Sequence, residues 1–220
     1  MIEEKITERY LTGDNHVYSN SMRHDILTLF DRQYPRVLDI GCSTGNTGII
    51  LKKEGLCKWV TGIELSKETG EIAKKFLDEV IVGPVEVIID NIPDQSFDCV
   101  CCLDVLEHLL DPWTVMETIS KKIKPGGIII TSIPNIRYIS IILKLIFLGQ
   151  WEYKNSGILD RTHLRFFTKK TALDLHSLPC FRLEKVQYLI PNYFKIINFL
   201  SLGMFNGFLT SQYLIRSRKT

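Results

Sequence analysis

Asp104, Glu107 and His108 follow directly on the apolar run Phe97–Leu103, and a second histidine, His163, stands far downstream in Asp160-Arg161-Thr162-His163. Two carboxylates and two imidazoles are the residue types that move protons or hold a divalent metal. If the segment after Leu103 is helical, Asp104 faces Glu107 and His108 at i+3 and i+4. A hydroxyl acceptor needs such a base or metal, because its own pKa lies far above neutral. His163, His108 and Glu107 are therefore the catalytic candidates. His163 serves as the general base, or as a metal ligand if Asp104, Glu107, His108 and His163 hold Mg or Zn. A purely structural role, as a helix-start acid and a packed histidine, stands beside these two. Arg161 and Arg165 suit an anionic group on an acceptor, or pair with Asp160 or Glu152. Trp151 and Tyr153 suit stacking on a ring, or ordinary packing.

A second constellation lies upstream. The strand-like run Val37-Leu38-Asp39-Ile40 enters the small-residue turn Gly41-Cys42-Ser43-Thr44-Gly45, and Gly62-Ile63-Glu64-Leu65 places an acid near the end of the next strand. Open α/β sheets hold adenosine-containing cofactors in this way. A dinucleotide fingerprint counted from Gly41 requires glycines where Ser43 and Asn46 stand, so that pattern fails. A cofactor without pyrophosphate, with an ammonium and a sulfonium, suits these residues better. Asp39 faces the ammonium, the turn lets backbone approach the ligand, and Glu64 accepts ribose hydroxyls. These features favour S-adenosylmethionine.

The elements that position both sets alternate between strand and helix, which predicts a parallel sheet covered on both faces. Strands are expected near 36–41, 57–64, 80–88, 97–103, 127–133, 181–187 and 211–218. Helices are expected near 19–33, 45–54, 67–77 and 112–123, and from Thr168 onward. Asp111 before Pro112 reads as an N-cap followed by proline at the first helical position.

The segments VLDIGCSTG (37–45), GIELS (62–66), FDCVCCLDVLEHLLDP (97–112) and IKPGGIIITSIPN (123–135) together resemble class I S-adenosylmethionine-dependent methyltransferases. The stretch GILDRTHLRFFTKKT (157–171) is similar to the subgroup called methyltransferase domain 23. The resemblance spans nearly the whole chain. It implies a Rossmann-like, mostly parallel seven-stranded sheet of order 3-2-1-4-5-7-6 with the last strand antiparallel. The expected cofactor contacts are Asp39, Gly41, Cys42, Ser43, Gly45, Glu64, Leu65, Leu103 and Asp104. The acid-x-x-Glu-His set with its remote histidine resembles ubiquinone-pathway O-methyltransferases and small-RNA 2′-O-methyltransferases, in which a divalent metal holds the acceptor oxygens. Asp104 is one methylene shorter than the usual glutamate. Two further departures stand out: Ser43 replaces a glycine, and Gly83-Pro84 replaces a Gly-Asp, leaving Asp90 or Asn91 to meet the adenine amino group. Tyr18 and Arg23 lie where relatives close over the cofactor. The resemblance points to O-methylation of a small molecule, first a sugar or polysaccharide precursor, with a quinone-like or lipid-linked acceptor as the alternative. A cofactor-binding subunit without catalysis is the reading from a different class.

The 220 residues carry a formal net charge of +2, which gives no basic footprint and predicts no nucleic-acid partner. Six cysteines without zinc-site spacing fit reduced, buried thiols and a cytoplasmic setting. One domain is expected over 1–220: a helical cap at 1–35, a cofactor core at 36–135, and insertions at 136–167 and 188–208. Both insertions are apolar and interrupted by Arg137, Lys144 and Lys195, which argues against membrane spans. They are read as a lid over an acceptor pocket; a homodimer surface, extra core or peripheral membrane contact are the alternatives.

Overall fold

A computed structural model describes residues 22–220. Its seven strands are β1 (Arg36–Ile40), β2 (Trp59–Glu64), β3 (Glu79–Val82), β4 (Phe97–Leu103), β5 (Ile123–Pro134), β6 (Phe181–Leu189) and β7 (Gln212–Lys219). They form one sheet of order β3-β2-β1-β4-β5-β7-β6. β1 to β5 pair in parallel, while β7 runs antiparallel to β5 and β6. This is the expected class and order.

The helices are α1 (Asn46–Lys53), α2 (Lys67–Ala73), α3 (Val85–Asn91), α4 (Pro112–Lys122), α5 (Ile139–Leu148), α6 (Lys169–Asp174), α7 (Lys195–Leu200) and α8 (Asn206–Leu209). Two apolar cores flank the sheet, and alternation along β4 feeds both. Val100 and Cys102 join the core under α3, α4 and α6, whereas Cys99 and Cys101 join the core under α1 and α2. A strand buried on both faces reads as a continuous apolar run, which is why Phe97–Leu103 is recognisable as one. α4 starts as expected: Asp111 accepts from the Thr114 N–H at 3.1 Å, with proline in the first turn.

Three expectations need correction. Residues 80–88 do not form one strand: β3 stops at Val82, Gly83 takes φ +143°, and α3 begins after Pro84. Proline has no N–H for a sheet ladder and its φ of −67° suits a helix entrance. Val85, Ile89 and Ile92, at helical spacing, reach the core. The leading helix over 19–33 is a single 3-10 segment, His24–Leu29; residues 19–21 and Tyr18 lie outside the described residues. The segment after β4 is not an α-helix. Asp104 adopts φ +58°, and only Leu106–His108 makes a 3-10 turn.

The two apolar excursions leave the sheet at the ends of β5 and β6, the same edge that carries the turns after β1 and β4. Their bases are fastened together by Asn135, which is fully buried. Its backbone bridges Phe167 and its N–H bonds Ser211 O, while its amide donates to Gly207 O and Thr210 O. Each contact satisfies a backbone carbonyl that a buried loop would otherwise leave unpaired.

Candidate active site

The turn after β1 is built on backbone geometry. Gly41 has φ +69°, and a Cβ there would meet Val105 Cγ2 at 2.4 Å. Gly45, at φ +91°, is the N-cap of α1. Only glycine takes such angles without cost. Ser43 nonetheless adopts φ +48°. Glu64 ties the turn to the loop after β2: Oε2 accepts the Ser43 N–H at 2.7 Å and Oε1 the Ser66 N–H at 2.9 Å. Each carboxylate oxygen keeps a second lone pair for a ligand hydroxyl.

Asp39 lies one strand away, buried at the end of β1. Its Oδ2 has no hydrogen-bond partner. Burial first, and then the charge of Glu64, push its carboxyl up to about 7. A buried acceptor left open is costly, so this oxygen calls for a cationic donor. Ser43 Oγ is likewise buried without a partner. The residues present therefore fit an ammonium-bearing adenosine cofactor. Cys42 does not offer its side chain: the thiol is buried toward Gly62, where a Cβ would lie 2.5 Å from Sγ. Leu65 is exposed and Leu103 half-buried at the same edge. Asp90 and Asn91 are exposed at the C-terminal end of α3, away from its entrance at this edge.

Glu107, His108 and His163 come together, with ligating atoms all within 4.8 Å of one another. The rings of His108 and His163 meet edge to face at 4.7 Å. His163 Nδ1 bonds Ile158 O at 2.9 Å. A carbonyl only accepts, so Nδ1 carries the proton and the Nε2 lone pair is free for chemistry. Nε2 points toward Glu107 Oε1 at 3.9 Å. His108 Nδ1 meets Thr162 Oγ1 at 3.0 Å, and Thr162 in turn donates to Asp160 at 2.6 Å. Burial is the main cause of both pKa shifts here: it raises the Glu107 carboxyl well above its usual range and lowers His163. Burial thus disfavours the charged form of both partners. Both Glu107 oxygens are buried without a hydrogen-bond partner. Orphaned carboxylate oxygens beside two imidazoles fit a divalent cation, which would draw Glu107 into its ionised form.

Asp104 stands apart from this triad, although the sequence grouped it there. Its carboxylate receives Arg23 Nη1 at 2.6 Å, Ser132 Oγ at 3.1 Å and the Gln212 amide. Arg23 also reaches Asp25 and Ser132. With φ +58° and no helix beneath it, the side chain turns to Arg23, Ser132 and Gln212, although its charge still helps raise the Glu107 carboxyl. Arg165 is likewise committed elsewhere, to Leu110 O and the face of Trp113.

Beside His163 opens a cleft lined by Tyr153, Arg161, Leu164 and Phe166. Phe166, which the sequence analysis passed over, is its hub, meeting Trp151 at 5.5 Å, Tyr153 at 6.4 Å and His163 at 6.4 Å. Thr162 was missed too. A histidine two or three residues from an aromatic was the signal for Phe166; nothing local marked Thr162 as the partner of His108.

A protein-family model described as a methyltransferase domain matches residues 15–175. The ubiquinone biosynthesis O-methyltransferase of Vibrio cholerae (strain ATCC 39541) is 36% identical over 98 residues, 42% of this chain and 39% of that relative. The match thus spans less than half the length of the curated relative. A S-adenosylmethionine-dependent methyltransferase from Archaeoglobus fulgidus superposes with a TM-score of 0.65 at 16% identity, over 99% of this chain and 93% of its own. A possible histamine N-methyltransferase from Thermotoga maritima gives 0.63 at 20% identity, over 89% and 87%. Likeness at that level shows the fold, and one fold serves both oxygen and nitrogen acceptors.

Proposed function

This chain belongs to the methyltransferase-domain family, and on that premise we propose that it methylates a hydroxyl oxygen of a small, ring-bearing acceptor that is quinone-like or lipid-linked. S-adenosylmethionine, when bound, supplies an activated methyl group on a sulfonium. Asp39 receives the ammonium, Glu64 the ribose hydroxyls, and the backbone from Gly41 to Gly45 lies against the ligand. Arg23, through Asp104 and Ser132, fixes the segment before β1 against the turn after β4.

The observation that carries the oxygen assignment is the free Nε2 of His163 beside Glu107. With Nδ1 held as a donor, Nε2 takes the acceptor proton. The buried position keeps the ring neutral, and so ready as a base, below the pH at which an ordinary histidine charges. Tyr153 and Phe166, tilted against each other at 6.4 Å, supply an aromatic wall for a ring, and the Vibrio relative, an O-methyltransferase of ubiquinone biosynthesis, agrees with a quinone-like acceptor. The sugar precursor anticipated from sequence has less support, since no sugar-acting relative stands among those reported above.

A second reading has its own observation: both Glu107 oxygens are unpartnered within a three-residue ligand set. In that form Glu107, His108 and His163 hold a divalent metal that polarises the acceptor hydroxyl.

The test is His163→Ala, assayed on catechol-type and sugar hydroxyl acceptors with and without chelator. Turnover should fall by about 10²–10⁴-fold while calorimetric titration with S-adenosylmethionine stays unchanged. Chelator sensitivity of the wild type selects the metal form. Near wild-type turnover in the variant would remove His163 from the mechanism.

A further inference from the structure

The apolar excursions are more exposed than a lid over a pocket requires. In α5, residues 143–148 are exposed without interruption, so side chains on every side of the helix meet solvent. Five of those six are Leu, Ile or Phe, and Phe147 is 75% exposed. The neighbouring α7 and the loop after it add Phe199 at 78% and Leu202 at 94%. The two excursions touch at their roots: the Tyr138 and Tyr193 hydroxyls lie 2.5 Å apart, Tyr138 meets Phe194 edge to face, and Arg137 lies over the Phe208 ring at 4.4 Å. Joined at these roots, the two excursions form an apolar projection beyond the same sheet edge. Exposed apolar side chains grouped in this way mark an interaction surface.

We propose that this projection is a docking surface for the anionic face of a lipid bilayer. The charge around it decides the occupant. Between 136–154 and 188–210 the cations are Arg137, Lys144, Lys154 and Lys195, against the single acid Glu152. A second copy docked by two-fold symmetry would bring these same cations together; anionic headgroups complement them. The shape agrees. The outer part of α5 exposes Leu143, Leu145, Ile146, Phe147 and Leu148 with only Lys144 among them, a surface that acyl chains cover while the lysine stays among the headgroups. Among the described residues no helix is long and apolar enough to cross a membrane, so the contact is interfacial. Both excursions leave the sheet edge that carries His163, so docking would turn the cleft toward the bilayer. That last step rests on the proposed apolar acceptor; the docking itself does not.

Co-sedimentation of the full chain with phosphatidylcholine vesicles, with and without phosphatidylglycerol, tests the idea, with solution mass measured in parallel. The wild type should pellet with the anionic vesicles and far less with the neutral ones. The double variant Phe147→Asp, Phe199→Asp should stay in the supernatant. Lys144→Glu should weaken binding to anionic vesicles by at least about fivefold, the effect of one lost cation near the surface, and make the remaining binding less sensitive to salt. Because the three positions are exposed, circular dichroism of the variants should match the wild type. No pelleting by the folded wild type would overturn the proposal. So would a stable dimer that Phe147→Asp converts to monomer, which would assign the surface to a second copy. Vesicle binding is read without turnover, so its failure is distinct from failure of the methyl-transfer reading.

Discussion

The two halves of the site edge are built by opposite means. The cofactor half, after β1 and β2, is a buried cradle of backbone: positive-φ glycines, N–H groups held by Glu64, and a single carboxylate oxygen left open on Asp39. The acceptor half, after β4, β5 and β6, is an assembly of side chains from distant segments, with two imidazoles, an aromatic wall and an apolar rim facing water. Backbone geometry suits a ligand that never changes, because no single side chain has to adapt. Side chains on long excursions suit a ligand that differs between relatives, since they alter without disturbing the sheet.

Substitutions should separate the halves. The largest effect after His163→Ala is expected at Gly41. An alanine there meets Val105 and must hold a left-handed φ, so Gly41→Ala should cost about 3 kcal/mol in urea unfolding. It should also weaken S-adenosylmethionine binding. The next effect belongs to neither half but to the core that carries both. His176 is fully buried between Thr131 and Ser217, and burial lowers its pKa to about 3 from 6.5. The unfolded chain therefore takes up a proton below about pH 6.5 that the folded chain refuses until about 3. Stability falls as pH drops through that window, by about 1.4 kcal/mol per pH unit. Unfolding free energies from urea titrations at pH 7 and pH 5 should differ by about 2 kcal/mol on this account, and His176→Asn should remove that part of the difference. An unchanged pH response in the variant would place the sensitivity elsewhere. The smallest effect is a gain. Ser43 holds a left-handed φ without glycine's freedom, so Ser43→Gly should raise stability by about 1 kcal/mol in thermal unfolding.

The same contrast explains what could be read from sequence. Val37–Gly45 and Glu64 are contiguous or one helix apart, and their chemistry follows from residue types in order. β4 and β5 were legible as strands because they are near-continuous apolar runs, whereas their order in the sheet followed from the family resemblance. The stretch Val85-Glu86-Val87-Ile88-Ile89 misled, since β-branched residues favour strands while their spacing here serves a helix. Asp104 misled for a related reason: i+3 and i+4 spacing carries meaning only on a helix, and its left-handed φ ends that geometry. His163 was found as a residue type. Its bond to Ile158 and its distance from Glu107 depend on how 136–167 folds back, which no local pattern encodes, whereas Phe166 stands only three residues away.

The position of β7 has a consequence for synthesis. Among the described residues β6 has no other strand neighbour, and β7 joins it to β5. Once Pro134 has left the ribosome, β1 to β5 can already pair, and the cofactor cradle with them. The acceptor half waits for Gln212–Lys219. A nascent chain halted short of Gln212 would thus hold Phe181–Leu189 as an unpaired strand beside the exposed α5 and α7, the state in which such a chain most needs a chaperone.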